Sequence, residues 1–160
     1  MQLLRATGLR WTWITLLVLV LDRISKMLVL KHFGLYEMMP LTSFFNLTLA
    51  YNRGAAFSFL NSASGWQAWL FGILAVSISA ILLNWLRKIS AKDIWLAVAL
   101  SAIIGGALGN LWDRLSYGYV IDFIDVHWGV WHWPVFNIAD SAICIGAFML
   151  FGEALIHKKK

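Results

Sequence analysis

Four stretches of the chain are apolar for long enough to leave water altogether: 11–30, 66–86, 94–111 and 136–156. At ~1.5 Å of helical rise per residue, each can cross ~30 Å of hydrocarbon. A segment in lipid must satisfy its own backbone hydrogen bonds, which predicts a helix for all four. Between them lie two longer connections, 31–65 and 112–135, and one short turn, 87–92. In "LTSFFNLTLAYNRGAAFSFL", Phe45, Leu47, Leu49 and Tyr51 alternate with Asn46, Thr48, Ala50 and Asn52, the period of a strand. Asn52-Arg53-Gly54 offers turn chemistry before a second short apolar run. "VIDFIDVHWGVWHWPVF" is rich in β-branched and aromatic residues and predicts further strands. The expected fold is an α-helical integral membrane protein, a single domain over 1–160, with four transmembrane helices and a small sheet on the outer membrane surface.

Composition agrees. The chain is 61% hydrophobic and 13% charged, where soluble domains run near half apolar and a quarter charged. The net charge of +5 does not point to nucleic acid, because its placement follows topology. Arg5 and Arg10 precede the first apolar run, Arg87, Lys88 and Lys92 fill the short turn, and Lys158, Lys159 and Lys160 follow the last run. By the positive-inside rule both termini and the short turn are cytoplasmic, and the longer connections face outward. Trp128, Trp131 and Trp133 then suit an interfacial aromatic belt. The first apolar run continues past Asp22 and Lys26 without a small-x-small cleavage site, so it is read as a retained anchor. One cysteine, Cys144, excludes an intrachain disulfide and a thiolate metal cluster; helix packing is its expected role.

The polar exceptions in the spans gather at one depth. Asp22 lies near the middle of the first span and Lys26 one turn further out. Asn110, Asp113 and Arg114 end the third, and Asn137, Asp140 and Ser141 begin the fourth. Asp122 sits on the connection between those two. Ionisable groups in lipid are costly, so a shared polar cavity is the default expectation. Each also has a plainer reading. Asp22 and Lys26, four apart, can form a simple ion pair. Asp113 and Arg114 can be solvated charges at a helix end. Gly105 and Gly109 fit close helix packing better than a binding loop. His127 and His132 lack the spacing of a closed metal site and read as interfacial histidines, so no metal and no cofactor is expected.

Asp140 itself suits two roles. Asn137 followed three residues later by an acid resembles a helix cap, and the helix dipole welcomes that acid. Asp122, on the apolar stretch Val120-Ile121-Asp122-Phe123-Ile124, supplies a second carboxyl on the same side. Two carboxyls close together in a low-dielectric site tend to share a proton. One then activates water while its protonated partner polarises a carbonyl, which is aspartic-protease chemistry. Sequence separation alone does not bring the two together. A serine–lysine peptidase using Ser25, Ser58 or Ser141 with Lys26 stays open, as does a proton-coupled transporter relaying through Asp22, Asp122 and Asp140.

Five segments in order resemble one family. "DRISK" (22–26), "NRGAAFS" (52–58), "GGALGNLWDR" (105–114), "VIDFIDV" (120–126) and "PVFNIAD" (134–140) are similar to motifs of bacterial lipoprotein signal peptidases, membrane aspartyl proteases also called signal peptidase II. The resemblance covers nearly the whole chain. It implies Asp122 and Asp140 as catalytic dyad, and a small β-cradle with a short helix on the outer, periplasmic face of the bacterial inner membrane. The implied substrate is a prolipoprotein bearing a diacylglyceryl thioether on its cysteine, cut just before that residue. Globomycin-type cyclic peptides are the implied inhibitors. Asn52, Asn110, Arg114 and Asn137 are then expected to donate to the substrate backbone or to developing charge. Asp22 and Lys26 are expected to organise the cavity, and the stretch 54–60, beginning at Gly54, to close as a lid. Membrane lipid is the other expected partner, and a monomer suffices.

Overall fold

A computed structural model describes residues 6–54 and 66–157. Helix α1 spans Trp13–His32, strands β1 and β2 span Met38–Pro40 and Phe45–Asn52, and α2 spans Trp66–Lys88. Helix α3 spans Ile94–Tyr117, strands β3 and β4 span Val120–Trp128 and Trp131–His132, and α4 spans Ile138–His157.

Helix α3 is the centre of the bundle and packs on α1, α2 and α4. Small residues permit this. A Cβ added at Gly105 would fall 2.8 Å from Val18 Cβ on α1, and one at Gly109 would fall 2.8 Å from Asp22 Oδ2. Gly106 faces the Ala139 carbonyl of α4, while Gly146 of α4 faces Ala99 and Ile103 of α3. Close helix approach is therefore what the "GGALG" segment provides. The opposite faces are apolar and uncovered: Leu16, Ile24, Ile73, Ile81, Phe148 and Phe151 are all exposed, as lipid-facing side chains are.

Three helical stretches, Trp69–Lys88, Ile94–Tyr117 and Ile138–Ile156, are long and apolar enough to cross a membrane. Helix α1 has 20 residues, enough length, but carries Asp22, Arg23, Lys26 and Lys31. The third helix does not stop at 111 as its hydropathy suggests; it continues to Tyr117 and ends at Gly118, whose φ of 78° suits a glycine. Asp113 interrupts the apolar run without ending the helix, because it is buried against protein partners.

The four strands form one antiparallel sheet in the order β1-β2-β3-β4. The register sets Ala50 opposite Asp122 and shifts between Leu47 and Ala50. Val29, Leu49, Ile121 and Phe123 bury the sheet on the end of α1. No short helix lies in the described part of either long connection; residues 55–65 fall outside the described segments.

The bundle has two unlike ends. At one, the start of the chain meets the α2–α3 turn: Gly8 N–H donates to Ile89 O at 3.0 Å, and Trp11 Nε1–H to Ala91 O at 3.2 Å. Arg10, Arg87, Lys88 and Lys92 lie there. At the other, α1 and α3 end, α4 begins and the sheet covers them. All the candidate site residues gather at this second end.

Candidate active site

Asp122 comes from the start of β3, and Asp140 from the first turn of α4. Backbone hydrogen bonds between β3 and Phe136 bring those elements together. Ile124 N–H donates to Phe136 O at 2.8 Å, and Phe136 N–H returns to Ile124 O at 3.1 Å. Phe136, two residues before α4, is thereby stitched to β3, and Asn137 follows directly beside Asp122.

Asn137 is fully buried and touches both acids. Its Oδ1 accepts the Asp140 N–H at 2.9 Å, while Asp140 Oδ2 accepts the Asn137 N–H at 3.3 Å. That is a reciprocal helix cap with aspartate as the acid. The Asn137 Nδ2 donates to Asp122 Oδ1 at 2.7 Å, and also approaches Asn110 Oδ1 at 3.1 Å. Asn52 Nδ2 donates to Asp122 Oδ2 at 3.0 Å, and Asn110 Nδ2 to Asp140 Oδ1 at 2.7 Å. Each carboxylate thus accepts from two donors. Burial, and then the neighbouring Asp140 charge, push the Asp122 carboxyl up from 3.8 to about 7, against the two asparagine donors.

Lys26 holds Asn110 in place. Its fully buried ammonium bonds Asp22 Oδ2 at 2.8 Å, Asp113 Oδ2 at 2.7 Å and Asn110 Oδ1 at 3.2 Å. With its oxygen held by Lys26 and Asn137, Asn110 must present its NH₂ to Asp140. Asp22 Oδ1 also accepts the Ala139 N–H at 2.9 Å, satisfying another donor at the start of α4. Asp113 Oδ2 accepts the Ile121 N–H at 3.2 Å, one residue from Asp122. Asp22 and Lys26 are therefore a pair within a three-helix network rather than an isolated contact.

Arg114 lies on the same side. Its Nη2 donates to Gly54 O at 3.1 Å, its Nη1 contacts Asn110 O at 3.4 Å, and its charge acts on Asp140 and Asp122. Gly54 N–H in turn bonds Asn52 Oδ1 at 3.1 Å, closing the turn after β2. A cavity of about 460 Å³ opens beside these groups, lined by Asn52, Asn110, Arg114 and Asp140 on its polar side and by Val120, Trp133 and Phe136 on its apolar side.

All nine sequence-derived site residues meet here: Asp22, Lys26, Asn52, Gly54, Asn110, Arg114, Asp122, Asn137 and Asp140. Beyond Gly54, the 54–60 stretch lies outside the described residues, as does Ser58. Ser25 Oγ–H donates to Asp22 O and Ser141 Oγ–H to Asn137 O, both at 2.9 Å. Lys26 is committed to two carboxylates and an amide, so neither described serine has it as a base. Cys144 is exposed and lines the cavity instead of packing between helices, because its face of α4 turns away from α3. Asp113 joins this network: it is 1% exposed, not a solvated end charge. Its spacing from Asn110, three residues along one face of α3, was the available signal.

No group of three or more metal-ligating side chains occurs among the described residues.

Comparison with known proteins points one way. Residues 14–156 match the family model for signal peptidase (SPase) II. A lipoprotein signal peptidase of Photorhabdus laumondii is 55% identical over 151 residues, covering 94% of this chain and 90% of that protein. One from Shewanella baltica is 54% identical over 153 residues, covering 96% and 90%. A solved bacterial membrane enzyme superposes with a TM-score of 0.84 at 30% identity, covering 93% of this chain and 89% of that one.

Proposed function

The chain belongs to the signal peptidase II family, and from that premise we propose that Asp122 and Asp140 are the dyad with which it cuts its substrate. The protein is a membrane protease that removes signal peptides from prolipoproteins. The observation that carries the dyad is Asn137, one buried amide bonded to both acids. Evolution of a cap needs only its oxygen; the bond from its nitrogen to Asp122 serves the pair.

Asp140 starts as the anion, favoured by the positive end of α4 and by Asn110 Nδ2. Asp122, its acidity weakened by burial, starts protonated. Asp140 takes a proton from water as the water oxygen bonds to the scissile carbonyl carbon, and Asp122 gives its proton to the carbonyl oxygen. Collapse of the tetrahedral intermediate breaks the C–N bond. Asp140 then passes its proton to the leaving nitrogen, and Asp122 recovers its own from the nascent carboxyl. Arg114 limits the anionic charge of the pair, and Asn52 holds Asp122 from the sheet side. Asp22 and Lys26 keep Asn110 and the start of α4 in place.

The substrate is a prolipoprotein with a diacylglyceryl-modified cysteine, cleaved just before that cysteine. A lipid-anchored peptide with an apolar signal helix brings its scissile bond to the bilayer edge, where this site lies. Helix α1 completes a four-span bundle, with Asp22, Arg23 and Lys26 turned inward onto α3 and α4. The basic end faces the cytoplasm and the dyad faces the outer side of the bacterial inner membrane. Globomycin-type cyclic peptides then compete for the same cavity.

The test is cleavage of purified diacylglyceryl-modified prolipoprotein, with unmodified precursor as control. Asp122→Asn and Asp140→Asn should each lose at least ~10³-fold in kcat, comparable to other catalytic-group removals, while remaining monodisperse in detergent. Near-normal turnover by either variant would refute the dyad.

A further inference from the structure

The catalytic cavity has a polar side and an apolar side, and the proposed mechanism uses only the first. Asn52, Asn110, Arg114 and Asp140 face the scissile bond, whereas Trp133, Phe136, Ile143 and Cys144 have no part in the chemistry. The apolar side has a closed floor. A Cβ added at Gly106 would fall 2.7 Å from Ile143 Cγ1, and one at Gly146 would fall 2.6 Å from Ile103 Cγ1. The seam between α3 and α4 is therefore shut below the dyad, and nothing passes down between the two helices. The wall at Cys144 is open, since that side chain lines the cavity and is exposed. Ser141 beside it donates its Oγ–H to the Asn137 carbonyl, so its hydroxyl adds no unsatisfied donor to this wall.

Cys144 lies one turn from Asp140 on the same face of α4, ~6 Å further from the site end at ~1.5 Å of rise per residue. That face continues with Phe148, Phe151 and Leu155, which are 77%, 64% and 53% exposed. A catalytic acid and a lipid-facing stripe thus share one line along α4, joined at the mouth beside Cys144.

The substrate carries its lipid on the residue that supplies the scissile nitrogen. Its thioether and ester groups therefore sit beside the dyad when the bond is cut, and its chains must reach hydrocarbon from there. A signal helix, ~10–12 Å across with its side chains, does not fit a cavity of about 460 Å³ that also holds the extended residues around the scissile bond. Hydrocarbon chains that leave sideways do.

We propose that the acyl chains of the substrate's diacylglyceryl group leave the cavity past Cys144 and lie along Phe148, Phe151 and Leu155. This rests on the reading of the site as the place where diacylglyceryl-modified prolipoprotein is cut. A chain in the bilayer is already out of water, so the stripe acts as a guide rather than a source of affinity. It fixes where the thioether, and with it the scissile nitrogen, stands relative to Asp140.

The experiment is photolabelling by a prolipoprotein whose acyl chains carry a diazirine, bound to the full-length Asp122→Asn protein in lipid nanodiscs. Mass spectrometry then maps the labelled residues. Label is expected on Cys144, Phe148 and Phe151, with none above background on the equally exposed Leu16 and Ile24 of α1 or Ile73 and Ile81 of α2. A phosphatidylcholine carrying the same diazirine should mark all three helices. Substrate label spread over the three helices, or concentrated on α1 or α2, would overturn the proposal. In the parent background, Cys144→Trp fills the mouth and should lower kcat/KM for lipidated prolipoprotein at least ~tenfold by displacing the scissile bond. Ile81→Trp should leave it unchanged. A Cys144→Trp protein with parental melting temperature and parental kcat/KM would also overturn it. The dyad is judged separately: cleavage of the bound substrate by Asp122→Asn refutes the dyad and leaves the labelling pattern to be read on its own.

Discussion

Asn137 does with one side chain what is usually divided between several. Its oxygen caps α4, and its nitrogen ties Asp122 to the same helix start. These roles separate by substitution. Serine is as good an N-cap as asparagine, so Asn137→Ser should keep the cap to within about 1 kcal/mol. It has no group that reaches Asp122 or Asn110, however. Asn137→Ala loses both roles, and the cap alone accounts for ~0.5–2 kcal/mol. The expected outcome is a near-parental melting temperature for the serine variant and a lowered one for alanine. Both should show a fall in kcat that exceeds any rise in KM, because Asn137 orients the acids rather than gripping the peptide. A serine variant with parental kcat would show that the nitrogen's bond to Asp122 is dispensable.

At the scale of elements, α3 decides where everything else sits. Its glycines let α1 deliver Asp22 and Lys26, and let α4 begin against Asp22. A side chain at Gly106 has no room beside the Ala139 carbonyl, and Ala139 sits immediately before Asp140. Gly106→Val should therefore cost about 1–3 kcal/mol through overpacking and displace the dyad with it. Gly152 near the end of α4 has nothing within 4 Å of an added Cβ, so Gly152→Ala should be neutral or stabilising by up to ~1 kcal/mol. Thermal unfolding and cleavage assays on the pair separate a packing effect from a general intolerance of glycine replacement. Much of this level was legible in the sequence, because apolar length marks helices and period-two alternation marks β2. The end of α3 was not. Hydropathy reads Asp113 as leaving the membrane, whereas burial against Lys26 and the Ile121 amide keeps it inside the protein. The asparagines were expected to contact substrate. That Asn110 and Asn137 bond the carboxylates depends on amide direction, which spacing does not encode.

At the scale of the whole molecule, a bundle with a basic end and an acidic site end places the proposed pair of carboxyls in poor contact with water, and this has a pH signature. Burial and the neighbouring Asp140 charge push the Asp122 carboxyl up to about 7 in the fold against 3.8 ordinarily. The proposed chemistry needs its proton, so kcat should fall as pH rises through about 7, tenfold per unit once the proton is lost. Stability follows the same group with a definite sign. Below 3.8 the acid is neutral in both states and contributes nothing. Between 3.8 and about 7 the unfolded chain releases the proton while the folded one keeps it, so stability declines with rising pH. Above about 7 the penalty is complete, on the order of 4 kcal/mol for a displacement of this size. Asp122→Asn cannot titrate. Whatever constant offset the substitution adds, the parent should lose stability relative to this variant between pH 5 and pH 8. Thermal melts of both proteins in one detergent, at those two pH values, measure that difference directly. Parallel melting curves would mean that Asp122 is ionised in the resting enzyme, and the proton-donating role would pass from it.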